Sequence, residues 1–294
     1  MERAALNEVF IVELVKTTRG RCGRIGTRKL LNELREDFAN AGIKLGRDGL
    51  HEILVRNHLT IKPVRRSCRT TISFAWLNSY TDLRRGLAVQ GSELMWCADI
   101  TYVRIEGGFV YLSLITDEYS RKIVGWCCHD TLEAEGCVVA LKMALTHRRY
   151  LERKLIHHSD RGVQYLSVVY TSLLGQHHIS ISTTQSGNPK DNPLAESMNG
   201  QLKTELGLNA TFATFEQAHV ACAEAVEKYN RHRPHGSLDY QTPEAVYDKT
   251  EPLKARWSPP EKAKRIIQHT RTVEEAVNLL QDEMAAVNYP PDYK

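Results

Sequence analysis

The chain has 294 residues, 42 % hydrophobic and 25 % charged, which excludes a disordered or fibrous protein and is enough for two or three domains. No stretch approaches the ~18 uninterrupted apolar residues of a membrane span, and the opening MERAALNEVF is not a secretion signal, leaving the cytoplasm as the expected compartment. The net charge of +4 hides a split, with 17 Lys/Arg against 9 Asp/Glu in residues 1–90 and 22 against 26 in residues 91–294, so a basic module for a polyanion is expected ahead of a mildly acidic one, ordinary surface cations being the plain alternative.

Residues 4–18 carry Leu6, Phe10 and Leu14 with Val9, Ile11, Val12 and Val15, a wide apolar stripe at helical spacing, and predict a first helix that stops before the basic turn TRGRCGRIG. Thr27 is the expected N-cap of a second helix through Leu30, Leu31, Leu34 and Phe38, with Arg28 and Lys29 in its first turn as candidate DNA contacts. GRDGLHEILVRNHL gives a third helix with Leu50, Ile53, Leu54 and His58 on one side. Three short helices with a basic surface fit a helix-turn-helix module over residues 1–59, although small three-helix units that bind no nucleic acid are common. Residues 60–92 read as a basic linker. Lys62, Arg65, Arg66, Arg69, Arg84 and Arg85 alternate there with Phe74, Trp76 and Tyr80, cations for phosphates beside rings that stack; a solvated linker is the alternative.

From Glu93 the texture turns to strands. LMWCADITYVRI and FVYLSLITD flank a turn at Glu106, Gly107 and Gly108, and RKIVGWCCHD follows as a third antiparallel strand. A helix, the short strand KLIHHSD, a second helix, the strand ISISTT and the helix DNPLAESMNGQLKTEL complete the order. That order is the ribonuclease H-like pattern, an α/β fold with a mixed five-strand sheet between helices, over residues 93–250. Residues 251–294 add prolines and a predicted helix with Val273, Ala276, Val277 and Leu280 on one stripe, suited to a contact between copies or to packing on the core.

Asp99 lies in the middle of the first strand, where a lone carboxylate is costly to bury. Asp160 ends the LIHH strand, and Glu196 sits early in a helix whose Asn192 is an expected capping side chain and whose Pro193 suits the first helical position. Sixty residues separate the first pair and 35 the second. On that helix Glu196, Asn199, Gly200 and Lys203 share one face, with Leu194, Met198 and Leu202 roughly opposite for packing on the sheet. Three acids that would repel one another call for divalent cations with oxygen ligands, two Mg²⁺ ions or Mn²⁺ in their place, and such a pair drives phosphodiester chemistry.

WCADITYV, HHSDRGVQY, DNPLAESMNGQLKTEL and YNRHRPHGSL…TPEAVY, in this order, resemble the DDE transposases of insertion sequences, the OrfB-type catalytic proteins of the IS-three family and relatives of retroviral integrases. The resemblance covers most of residues 25–248. It implies a ribonuclease H-like core, Mg²⁺ dependence, cleavage and strand transfer at transposon ends, and Asp99, Asp160 and Glu196 as catalytic metal ligands, with Lys203 as the basic residue after the Glu. It also implies double-stranded DNA as partner, at least two copies on that DNA, and an upstream-frame protein that supplies end recognition. Asn199, Lys190, Arg161, Arg231 and Arg233 complete the candidate DNA contacts. Ser186 stands where the family usually has a basic residue and Lys190 where it often has an aromatic one. A nuclease of the same fold and a DNA-binding protein with a vestigial core are the alternatives.

Two other groups invite a reading. His129, His157, His158, His177 and His178 have no C-x-x-C or H-E-x-x-H frame, which argues against zinc, and His158 near Asp160 is a possible substrate contact. Asp117 and Glu118 end a strand at a turn and are expected to be solvated. Seven scattered cysteines are expected as reduced, mostly buried thiols.

Overall fold

The structure is a computed structural model that describes residues 2–61, 80–84, 87, 89–184 and 192–249. The expected contacts Arg65, Arg66, Arg69 and Lys190, and the helix expected in residues 251–294, lie outside the described residues. Among those described, no helix is long and apolar enough to cross a membrane.

Four helices open the chain, α1 (Glu2–Cys22), α2 (Thr27–Glu33), α3 (Arg35–Asn40) and α4 (Arg47–Arg56). They close around Ile11, Val15, Cys22, Ile25, Leu30, Leu34, Phe38, Leu50, Ile53 and Leu54. The buried part of the predicted wide stripe of α1 is its Ile11–Val15 side, with Val12 and Leu14 partly buried beside it. Ile11, Val15 and Cys22 face the small helices, whereas Leu6 and Phe10 are exposed, 66 % and 43 %. The helix also runs past its expected end, because burying Cys22 and bonding Arg19 to the Leu59 carbonyl at 2.5 Å rewards another turn. Thr27 does not cap α2; Gly26 takes that place in extended backbone and gives no side-chain bond. The second helix is broken at Leu34, and His58 lies exposed beyond α4 at a left-handed φ of 55°.

The α/β part is built on β1 (Met95–Ile105), β2 (Gly108–Asp117), β3 (Ile123–His129), β4 (Ile156–Ser159), β5 (Ser180–Thr183) and β6 (Thr211–Phe212). The sheet order is β3-β2-β1-β4-β5, antiparallel through β3, β2 and β1 and parallel from β1 to β5. This is the ribonuclease H-like arrangement with one strand more than expected. β1 is 11 residues long, and β4 pairs only with Met95, Trp96 and Cys97, so β6 pairs the far end at Arg104 and Ile105. Between these two partners β1 has no strand neighbour on that edge among the described residues. Two residues turn the β1–β2 hairpin, with Gly107 at φ 85°, a conformation that suits glycine.

Alternation along β1 divides the core. Trp96 and Ala98 face a cluster with α5 (Ala134–Thr146) and α6 (Val168–Gln176), and Val103 faces a second cluster with α7 (Pro193–Thr204) and α8 (Phe215–Glu227). α9 (Pro243–Tyr247) closes the first cluster with Tyr247. The end of the expected linker also packs on this core, with Leu83, Leu87 and Val89 against Met95, Cys97 and Ile156. The approach of α5 to β3 depends on Gly125, whose added Cβ would lie 2.1 Å from the Ala140 carbonyl oxygen and 3.0 Å from Ala144 Cβ. Gly125→Ala is expected to cost about 3 kcal/mol and to lower the melting temperature by roughly 10 °C in a thermal scan. An unchanged midpoint would mean that α5 moves aside freely.

Acids near the start of the sheet are buried, against expectation. Asp117 is fully buried, accepting from Ser120 Oγ at 2.6 Å and from the Glu93 backbone N–H at 2.7 Å. Glu118 holds Arg84 at 3.2 Å. Glu93 is also fully buried, and accepts from the backbone N–H groups of Arg149 and Tyr150, each at 2.8 Å, and from the Tyr247 hydroxyl, which ties α9 to the segment leading into β1. Of the six cysteines described, none is in a disulfide and five are buried.

Candidate active site

The site forms where the sheet opens. In the parallel β1–β4 ladder Trp96 pairs with His157 and Cys97 with His158. Asp99 and Asp160 each follow the last paired residues by two positions, close enough for the Asp160 charge to act on Asp99. β4 ends at Ser159, so the pair sits at the mouth of the gap between β4 and β6. Odd residues of β1 face α7, and α7 lies along this gap. Its Met198 and Leu202 are buried in the core, while Glu196, Asn199, Gly200 and Lys203 are only half-buried, as the helical phase predicts.

Hydrogen bonds fix the pieces. Asn199 Nδ2 donates to Asp99 Oδ2 at 2.6 Å, and the Gly162 N–H donates to Asp160 Oδ1 at 3.0 Å. Asn192 does not cap α7 with its side chain. Its Nδ2 donates instead to the Ala98 carbonyl at 3.3 Å, filling part of the bare edge of β1 and tying the start of α7 to the residue before Asp99. The aspartate-asparagine-proline entry signalled a special turn, but its partner is 94 residues away in sequence and leaves no local trace.

The electrostatics follow from crowding. Burial and then the Asp160 charge push the Asp99 carboxyl up to about 7; the Ile100 N–H and the Asn199 amide oppose this, and Glu196 adds a smaller push. Burial also raises Asp160, with Gly162 opposing. Burial lowers Lys203, while the charge of Asp99 holds it up. The structure thus brings Asp99, Asp160, Asn199 and Lys203 together, and Glu196 stands further off. Among the described residues no three His, Cys, Asp or Glu side chains converge closely enough to hold one ion. A divalent cation nevertheless fits the donors present. Two repelling carboxylates face each other, and beside them Asn199 Oδ1 is buried with no donor among the described residues.

Other candidates fall elsewhere. Arg161 is half-buried in the turn after Asp160, and Arg28 is exposed on α2. Arg231 is exposed and, among the described residues, pairs with Glu227 at 3.4 Å. Lys29 and Arg233 are corrections. The Arg233 side chain is 2 % exposed and grips Glu205 at 2.9 and 3.0 Å, while Lys29 reaches the same carboxylate at 3.5 Å. Both cations hold the helices to the core rather than facing solvent. His158 is likewise no substrate contact. It is fully buried with Nδ1 against Ser182 Oγ at 2.8 Å, and His157 bonds the Tyr170 hydroxyl at 2.8 Å.

Two integrase core domain families match, one over residues 90–189 and the other over 177–243. A transposase for insertion sequence element IS629 from Shigella sonnei is 31 % identical over 208 residues, covering 71 % of this chain and 68 % of that protein. A putative transposase for IS986/IS6110 from Mycobacterium tuberculosis is 31 % identical over 217 residues, 72 % of this chain and 77 % of that one. Transposase InsF for IS3A from Escherichia coli is 33 % identical over 168 residues, 57 % and 58 % of the two chains. Among solved structures, the HTLV-2 integrase catalytic core domain in complex with magnesium aligns with a TM-score of 0.42 at 18 % identity, over 53 % of this chain and 97 % of that one.

Proposed function

The chain belongs to the insertion-sequence transposases that carry an integrase core, and from that membership we propose that Asp99, Asp160 and Glu196 are its catalytic metal ligands and that it cuts and joins transposon ends. The observation that supports this reading best is the convergence of Asp99 and Asp160 at the gap in the sheet, with Asn199 of the Glu196 helix bonded to Asp99 at 2.6 Å. Two divalent cations, Mg²⁺ or Mn²⁺ in its place, would be held by the three carboxylates and would supply the charge that activates an attacking oxygen and stabilises a leaving one.

The chain's own residues do the rest. Asn199 fixes the rotamer of Asp99, and Gly162 fixes that of Asp160, so both carboxylates present an oxygen to the gap. Lys203, one helical turn beyond Asn199, meets a phosphate of the scissile strand, where its charge is opposed by burial until an anion arrives. Glu196, on the same face of α7 as Asn199, completes the set. The nucleophile is water and then a DNA 3′-hydroxyl, with no covalent link to the protein.

Residues 1–59 are the duplex-gripping module, with Arg28 in contact with the backbone, and residues 60–92 carry the strand between modules through Arg65, Arg66 and Arg69. Residues 93–250 are the catalytic unit, aided by Arg161, Lys190 and Arg231. At least two copies act on DNA, residues 251–294 making the contact between them, with an upstream-frame protein supplying end recognition. Incubating the protein with labelled transposon ends, Mg²⁺ and a target plasmid, and sequencing the joints, tests the reading. Cleavage without joints would assign a nuclease, and binding without cleavage a vestigial core.

Asn199 gives a narrower check. Asn199→Ala is expected to slow cleavage about 10- to 100-fold, the usual cost of freeing a metal-ligating side chain, with the affinity for end DNA unchanged in a filter-binding assay. A loss of affinity at constant cleavage rate would return Asn199 to the DNA surface.

A further inference from the structure

The sheet face opposite α7 is covered at one end and open at the other. Ala98 and Ile100 pack in the cluster with α5 and α6, and Ser113 Oγ meets Cys137 Sγ of α5 at 3.5 Å. The first turn of α5 reaches His129, whose Cβ is 3.0 Å from where a Cβ on Gly136 would stand. Towards the β1–β2 hairpin the same face carries Tyr102 opposite Tyr111 and Arg104 opposite Phe109. Phe109 is 44 % exposed, Arg104 is exposed, and both tyrosines are half-buried.

Three rings and one cation therefore lie side by side on an open surface. The Tyr102 and Phe109 centroids are 6.0 Å apart with the rings at 89°, and those of Tyr102 and Tyr111 are 5.2 Å apart at 69°. Neither pair stacks ring on ring, which leaves ring faces for a flat partner. The Arg104 guanidinium stands over the Phe109 ring at 5.0 Å, a positive charge at the edge of the rings. The surface also adjoins the candidate active site. Tyr102 follows Asp99 by three residues on one strand, about 10 Å at ~3.3 Å per residue. Burial and then Tyr111, Asp160 and Asp99 push the Tyr102 hydroxyl up, so both carboxylates are within electrostatic reach of this ring.

We propose that this face stacks an unpaired nucleobase of the DNA strand whose phosphate lies at Asp99 and Asp160. The proposal rests on the catalytic reading above, because the carboxylates fix where that strand runs. A base brings a flat π-face to the rings and a phosphate of its own to Arg104, and such stacking tolerates any base. Paired bases hide their faces in the duplex stack, so the occupant has left its partner. At the duplex rise of about 3.4 Å per nucleotide, the 10 Å from Asp99 places it roughly three nucleotides from the reacting phosphate. The face thus holds the end of the DNA open while the carboxylates work beside it.

The test measures binding and not turnover. In EDTA the full chain is titrated with a short duplex that carries an unpaired tail containing 2-aminopurine, whose fluorescence falls when it stacks, and with the same duplex fully paired. Tyr102→Ala and Phe109→Ala are each expected to weaken the tailed duplex about tenfold and to abolish the quenching, while the paired duplex binds as it does to the parent. Tyr102→Phe keeps the ring and is expected to keep both affinity and quenching. Phe109 is exposed at the hairpin, so its variant tests the face even where Tyr102→Ala fails to fold. The proposal is overturned if the folded alanine variants bind and quench the tail as the parent does, or if they weaken tailed and paired duplex alike. It is also overturned if DNA binding is untouched and the mass by light scattering falls, which would make the face a contact between copies. Quenching lost in these variants beside an Asp160→Asn protein that still cleaves would keep the base site and remove the catalytic reading.

Discussion

Asp160→Asn is expected to lower cleavage and joining by about 10³-fold or more, because it removes one unit of ligand charge where the developing charge must be offset. The fold is expected to survive, since Gly162 N–H still finds a side-chain oxygen acceptor at position 160, and end DNA is expected to bind as tightly or more tightly. Joints recovered at near parental frequency would remove Asp160 from the site. Asp99→Asn shares this loss and adds a second readout. The ordinary Asp99 value is 3.8 and the folded one about 7. Between these values the folded protein holds a proton that the unfolded chain has released, so stability falls as pH rises through this window and the full cost is present above it. Asparagine carries no such cost. In EDTA at about pH 8, Asp99→Asn is therefore expected to exceed the parent by about 1–3 kcal/mol, a gain discounted for the partial exposure of the site. The gain should vanish near pH 4, as urea titrations at the two pH values would show; an equal gain at both would mean that the carboxylates do not repel.

Glu205→Ala is expected to be among the most damaging single changes, at about 3–5 kcal/mol, because it strands a buried guanidinium. Arg233 is 2 % exposed, and its remaining partner is His235 Nε2 at 2.8 Å. The same change frees Lys29, which burial and the Arg233 charge hold down to about 8. Glu205 also marks the joint between modules. Its carbonyl accepts from the Arg24 N–H at 2.7 Å, and Gly23 beside it, at φ 78°, has no room for a Cβ, which would lie 2.8 Å from that carbonyl oxygen. Pairing Glu205→Ala with Arg233→Met should recover much of the loss, since the buried methionine needs no counter-charge. Additive losses in a double-mutant cycle by urea denaturation would show that the ion pair is not the source.

The sequence alone determined the order of elements and the phase of α7. Period-two runs separated by glycine turns specify strands wherever they occur, and a helix turns 100° per residue whatever surrounds it, so Glu196, Asn199 and Lys203 had to share a face opposite Met198 and Leu202. The spacing and order of the three acids, carried by short motifs, also lay open in the chain and pointed to the transposases. What only the tertiary structure decided were choices between partners distant in sequence. Asn192 could cap its own helix or bond a carbonyl on β1, and it bonds Ala98 because β4 ends too soon to satisfy that edge. Arg233 and Lys29 carry charge that suits DNA or a carboxylate equally, and the burial of Glu205 settles it. Asp117 looked like a turn residue, yet the Glu93 and Ser120 donors draw it inside. Local pattern fixes periodicity because backbone geometry is local; polar partnership is fixed by desolvation, which depends on what the rest of the chain places nearby.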